Sequence, residues 1–102
     1  MTASKEDSML LAPDSVVVAS SRQLSCKLGG EAVVMGIDNG VYYGLNTVGA
    51  KIWQMLEKPR TVRQIVSAMV DEFEVDEARL TDDVVRFLHG LASQGLIDVR
   101  PG

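Results

Sequence analysis

Asn39-Gly40-Val41-Tyr42-Tyr43-Gly44-Leu45-Asn46-Thr47-Val48-Gly49-Ala50-Lys51-Ile52-Trp53-Gln54-Met55-Leu56 reads as a turn, a strand and a helix with almost nothing between them. Asn-Gly tolerates positive φ at both central positions of a tight type I′ turn, and here it lies between two apolar runs, Ala32 to Ile37 and Val41 to Leu45. The second run meets Asn46 and Thr47, either of which can cap a helix, and Val48, Ile52, Met55 and Leu56 then recur at helical spacing. Strand therefore turns directly into helix.

Working outward, Val16-Val17-Val18 marks a first strand within Ser15 to Ala19. Leu24, Cys26 and Leu28 alternate with Ser25 and Lys27, a period-2 pattern that extends the first strand or forms another short one before the Gly29-Gly30 turn. At the start, Met1 to Ser8 is polar without periodicity, and the apolar patch Met9-Leu10-Leu11-Ala12 stops at Pro13-Asp14. Residues 1–14 are thus expected to be a flexible segment, 15–99 the folded domain and 100–102 a tail.

Downstream, Lys58-Pro59-Arg60 breaks the first helix, and Thr61 with Gln64 has the spacing of a capping box. Val62, Ile65, Val66, Met69, Val70 and Phe73 give the second helix its apolar face. Asp76 to Ser93 is helical again, with Leu80, Val84, Phe87, Leu88 and Leu91, and Gly95 is its stop. Leu96 to Val99 follows as a short extended piece. Short strands followed by three helices predict an α+β fold resembling a winged helix-turn-helix, its antiparallel sheet packed on the helices.

At 102 residues with 46% hydrophobic content, the chain can build one modest core. Its net charge of −4 argues against a sequence-independent grip on nucleic acid, which relies on clustered Lys and Arg. A single cysteine allows no intramolecular disulfide and fits a reducing cytoplasm. No apolar run is long enough to span a membrane, and the first residues lack a signal-peptide layout, so a soluble, cytoplasmic protein is expected.

Catalysis needs positioned groups, and the sequence offers few. His89, the only histidine, falls opposite the apolar face of its helix and is expected on the surface; Cys26 is expected to be a buried or half-buried hydrophobe. Asp71-Glu72 and Asp82-Asp83 are adjacent carboxylates, which diverge by about 100° on a helix and cannot face one another as an acid/base pair. The glycines match no phosphate-loop spacing. No catalytic residue, cofactor or metal site is expected. DNA binding by the last helix is the competing function, but Asp82, Asp83, Arg86 and His89 give that helix no positive stripe.

Peptide binding has a physical basis. In a meander, Val41 to Asn46 is the last strand and offers an unpaired edge, unless Leu96 to Val99 or a second copy of the chain covers it in a homodimer. An open edge recruits another strand. Val41, Tyr43 and Leu45 are expected to face the helices, with Tyr42 and Gly44 on the other side. The third helix has a wide apolar arc, and its margin at Asp82, Asp83, Val85, Arg86 and Phe87 is the candidate second wall of a groove.

Gly40-Val41-Tyr42-Tyr43-Gly44-Leu45-Asn46, then Gly49, Ile52-Trp53 and Thr61-Val62, then Asp83-Val84, Phe87-Leu88, Leu91 and Gly95-Leu96-Ile97, resembles the PqqD-like family. These are the recognition elements for precursors of ribosomally synthesised and post-translationally modified peptides. The resemblance covers Val16 to Val99 and implies a three-stranded sheet on three helices, no catalysis, and capture of a leader peptide as an added strand beside the third helix. The run Tyr42 to Gly49 looks most like the free-standing recognition proteins of lasso-peptide pathways. Those proteins pass the precursor to a separate, transglutaminase-like leader peptidase and a macrocyclase. The pyrroloquinoline quinone chaperone, which serves a radical enzyme, is the alternative within the family.

Overall fold

Asn46 carries the chain from sheet to helix in one residue. Its backbone is extended (φ −73°, ψ −176°) and its Oδ1 accepts the Gly49 N–H at 2.9 Å, so it caps α1 (Thr47–Met55) directly behind β4 (Tyr42–Leu45). The computed structural model describes residues 11–101. The expected flexible stretch Met1 to Ser8, and the Met9-Leu10 half of the apolar patch, lie outside the described residues.

The remaining elements are β1 (Val16–Ala19), β2 (Gln23–Leu28), β3 (Glu31–Gly36), β5 (Arg60–Thr61), α2 (Val62–Phe73), α3 (Glu77–Ser93) and β6 (Ile97–Arg100). They form the expected α+β architecture of three helices and a three-stranded antiparallel sheet, ordered β2-β3-β4. A second small antiparallel sheet, β5-β1-β6, joins it. Here Val17 pairs with Val99 and with Arg60, residues far apart in sequence, so no local pattern announces the pairing. The last strand therefore packs on β1, not on β4, and reaches Arg100, one residue into the expected tail.

The hairpin closes differently from the tight two-residue turn expected. Gly36 N–H donates to Val41 O at 3.1 Å and Gly40 N–H to Gly36 O at 2.8 Å, leaving Ile37 to Gly40 as a four-residue loop. Gly40 has φ +66°, whereas Asn39 does not enter the left-handed region that a type I′ turn requires. The Asn39 side chain is committed elsewhere: Oδ1 accepts the Val41 N–H at 3.0 Å and Nδ2 donates to Gln94 Oε1 at 3.4 Å.

The helix ends follow the sequence. Thr61 and Gln64 form a reciprocal capping box at α2, and Asp76 caps α3 through the Arg79 N–H. Gly95, at φ +75°, closes α3: Leu96 N–H reaches Leu91 O and Gly95 N–H reaches Ala92 O, each at 3.0 Å. That closure drops Leu96 into the core with Val17, Val34, Leu45, Leu56, Ile65, Met69 and Leu88. Trp53 is buried there too, as expected. Each such side chain contributes roughly 1.5–3 kcal/mol by leaving water.

Two sequence expectations change. Ala32, Val34 and Leu45 point inward, so the register puts Leu24, Met35 and Tyr42 in one row of the outward face, and Cys26, Val33 and Gly44 in the next. Cys26 is consequently exposed, not buried. Period-2 alternation says that faces alternate without saying which one is covered. His89 is half-buried instead of solvated, because it follows Val85 by one turn, on the side of α3 that faces α2.

Candidate peptide-binding groove

The outer edge of β4 is where the backbone has bonds to give. Gly36 N–H donates to Val41 O, and hydrogen-bonded pairs alternate along an antiparallel ladder, so Val34–Tyr43 and Ala32–Leu45 exchange the inward bonds. The N–H and C=O groups of Tyr42 and Gly44 therefore point away from β3. Among the described residues no strand pairs with that edge. Gly44 adds no side chain there, and a Cβ at this position would meet nothing within 4 Å.

Alongside the edge runs a groove whose other wall is α3. One cavity of about 380 Å³ lies between Gly44, Leu45, Gly49 and Ile52 on one side and Leu80, Asp83 and Phe87 on the other. A second, of about 390 Å³, lies between Tyr43, Gly44 and Leu45 and the α3 residues Arg86, Phe87, Gly90 and Gln94. Gly44, Leu45 and Phe87 line both, so the Phe87 ring divides a single groove into two compartments. On the rim, Arg86 Nη1 stands 3.9 Å from Asp83 Oδ1, with side chains 80% and 57% exposed, a loose pair whose charges remain available to a ligand.

The sequence-selected residues divide accordingly. Tyr43, Gly44, Leu45, Asp83, Arg86 and Phe87 converge on the groove. Tyr42 contributes its backbone, while its ring lies on the outward sheet face; Val41 is exposed beside the hairpin loop. Asp82 lines neither compartment, and Val85 faces the opposite side of α3, towards Val66 and Val70 of α2. Phe87 and Val85 differ by about 200° around the helix, so they cannot share a wall. Sequence reasoning missed Gly49, Gly90 and Gln94. Gly49 is a small residue in a helix, a signal of close approach that periodicity alone passes over, and here it faces Phe87. A Cβ at Gly90 would meet nothing within 4 Å, so no packing contact marks that position.

At the far corner of the hairpin, the Arg22 guanidinium hydrogen-bonds Asp38 and holds its carboxyl below the usual carboxylate range; Arg22 is raised in turn. Among the described residues, no cluster of three or more His, Cys, Asp or Glu side chains suited to a metal ion occurs, and no helix is long and apolar enough to cross a membrane.

The family model for coenzyme PQQ synthesis protein D (PqqD) matches residues 31–97, about two thirds of the chain. The chain belongs to the PqqD family. Among solved structures, TbiB1 in complex with the TbiA(beta) leader peptide is similar to this PqqD-family chain, with a TM-score of 0.75 and 32% identity. The match covers 79% of this chain and 94% of TbiB1. The PqqD truncation of Methylobacterium extorquens PqqCD, a stand-alone recognition element solved by solution NMR, matches with a TM-score of 0.73 and 15% identity over 90% of this chain and 98% of its own. That second likeness speaks for the PqqD fold alone. No curated protein matches the chain.

Proposed function

We propose that the chain is a non-catalytic receptor that captures the leader of a ribosomally made precursor peptide as an added strand on β4. The observation that carries this is the unpaired edge at Tyr42 and Gly44 beside the α3 groove, in a chain 32% identical to a protein solved with a leader peptide bound. Two N–H and two C=O groups give register without demanding sequence, and the compartments either side of Phe87 give choice among leader side chains. Backbone bonds at ~0.5–1.5 kcal/mol each, with two or three anchors at ~1.5–3 kcal/mol, offset the ordering of a flexible leader.

The run Tyr42 to Gly49 favours a lasso-peptide pathway in the cytoplasm, with presentation to a separate, transglutaminase-like leader peptidase and a macrocyclase completing the product. Presentation to a radical enzyme of the quinone pathway is the second reading, favoured by the family model that the chain matches. The test is titration of the purified protein with the leader half of a precursor encoded beside it. Saturable binding in the micromolar to nanomolar range, about 8–12 kcal/mol, with amide shifts on Tyr42 to Leu45 and on Asp83 to Gln94, is expected. Binding of duplex DNA in place of any candidate leader would overturn the proposal in favour of the winged-helix reading.

A further inference from the structure

Val85 opens onto a second cleft, of about 510 Å³, between α2 and α3. Val62 and Val66 form its floor and Val70 and Val85 its half-buried walls. Its lip carries Asp71 from α2 and Glu77 from α3, both exposed, and neither joins an ion pair among the described residues. Arg63 is the cation on the lip, and it is engaged by Asp14. Leu11 and Pro13, ahead of β1, also line the cleft, which thus combines an aliphatic interior with a margin whose two carboxylates are uncompensated among the described residues.

We propose that this cleft is a second docking surface, for a short segment with branched aliphatic side chains beside Lys or Arg, carried by the enzyme that receives the leader. The identity of that enzyme rests on the leader-receptor reading above; the chemistry of the segment rests on the cleft alone. An enzyme that acts on the bound leader needs a hold that leaves the leader's groove free. Because the cleft at Glu77, Thr81 and Val85 and the groove at Asp83 and Phe87 occupy different faces of α3, with no lining residue in common, both can be filled at once. Methyl-lined walls favour aliphatic over aromatic contacts, and the acidic lip, on a chain of net charge −4, steers a cationic partner.

The experiment uses a panel of synthetic eight-residue peptides that combine Lys with Ile and Val, and counterparts with Glu for Lys, titrated into the full chain and followed by amide shifts. The Lys peptides are expected to shift Val66 to Asp71 and Glu77 to Val85 without moving Tyr42 to Leu45. Asp71→Lys with Glu77→Lys should weaken that binding at least tenfold at unchanged melting temperature, with leader affinity kept within twofold. Equal binding of Lys and Glu peptides, shifts confined to β4, or no shift from any peptide overturns the proposal. So does binding seen only after deletion of residues 1–10, which would make the chain's own segment the occupant. Failure of the leader reading is distinguishable: leader binding would be absent while the cleft still takes the Lys peptides.

Discussion

The ring of Phe87 lies against Gly49, so close that a Cβ on this glycine would stand 3.3 Å from ring atoms Cε1 and Cζ. α1 thereby admits an aromatic side chain from α3 into the space between the two helices, and the admitted ring divides the groove beside β4. The capping Asn46, three residues earlier, fixes α1 at the end of β4. One strand-to-helix junction sets both the open edge and the depth of the groove next to it.

Gly49→Ala tests that contact. Alanine improves helix propensity by about 0.5–1 kcal/mol, and the half-buried ring has groove space on both sides into which it can give by a few tenths of an ångström. Stability should stay level or rise by less than about 1 kcal/mol, while leader affinity, measured by calorimetry, falls severalfold. Unchanged affinity would remove Phe87 from the recognition surface.

Gly44→Pro against Gly44→Ala isolates the backbone. Proline removes an N–H that points outward and takes no part in the β3 ladder, and proline is tolerated on such an edge. Leader binding should weaken about tenfold or more with Pro, equivalent to about 1.4 kcal/mol, and much less with Ala, both proteins remaining folded by circular dichroism.

Tyr43→Ala and Arg86→Glu should behave differently. Tyr43 packs on the core, so its loss should lower stability by roughly 1–3 kcal/mol and impair binding with it. Arg86 is 80% exposed and only loosely paired, so its reversal should change leader affinity with little effect on the melting temperature. A folded Arg86→Glu protein with wild-type affinity would count against α3 as a wall of the site.

The Arg22–Asp38 pair predicts a small pH dependence. The folded-state pKa of Asp38 is lowered, first by the hydrogen bond from Arg22 and then by its charge, so its contribution is present above the ordinary aspartate value and is lost as pH falls through the lowered one. Carboxyl NMR titration should place Asp38 below an unpaired aspartate, and Arg22→Ala should bring it back to the ordinary value. Both groups are fully exposed, so the effect on global stability should be slight.

What was legible in the sequence is what local chemistry decides. Asn46, the Thr61–Gln64 box and Gly95 announce the ends of the helices because capping needs particular side chains at fixed offsets. The Asn39-Gly40 pair announced a hairpin but not its loop, since the Asn39 side chain bonds Gln94, 55 residues away. Two strands of the β5-β1-β6 sheet were legible, at Val16 to Val18 and at Leu96 to Val99, but their pairing was not, for the same reason: it is long-range. Val85 was drawn into the leader groove because the apolar arc of α3 serves two clefts, and periodicity gives the width of an arc without dividing it. Tyr43 and Leu45 were legible because an edge strand alternates and its helix-facing side chains have only one place to go, whereas Asp83, Arg86 and Phe87 followed from the margin of the apolar arc of α3.

Hydrogen exchange at four consecutive amides tests the central claim most directly. Without leader, Tyr43 and Leu45 should exchange slowly, bonded to β3, while Tyr42 and Gly44 exchange fast. Adding leader should slow Tyr42 and Gly44 and leave the other two as they were, the signature of a strand added to β4. A leader that binds while Tyr42 and Gly44 continue to exchange freely would contradict strand addition and place recognition elsewhere on the molecule.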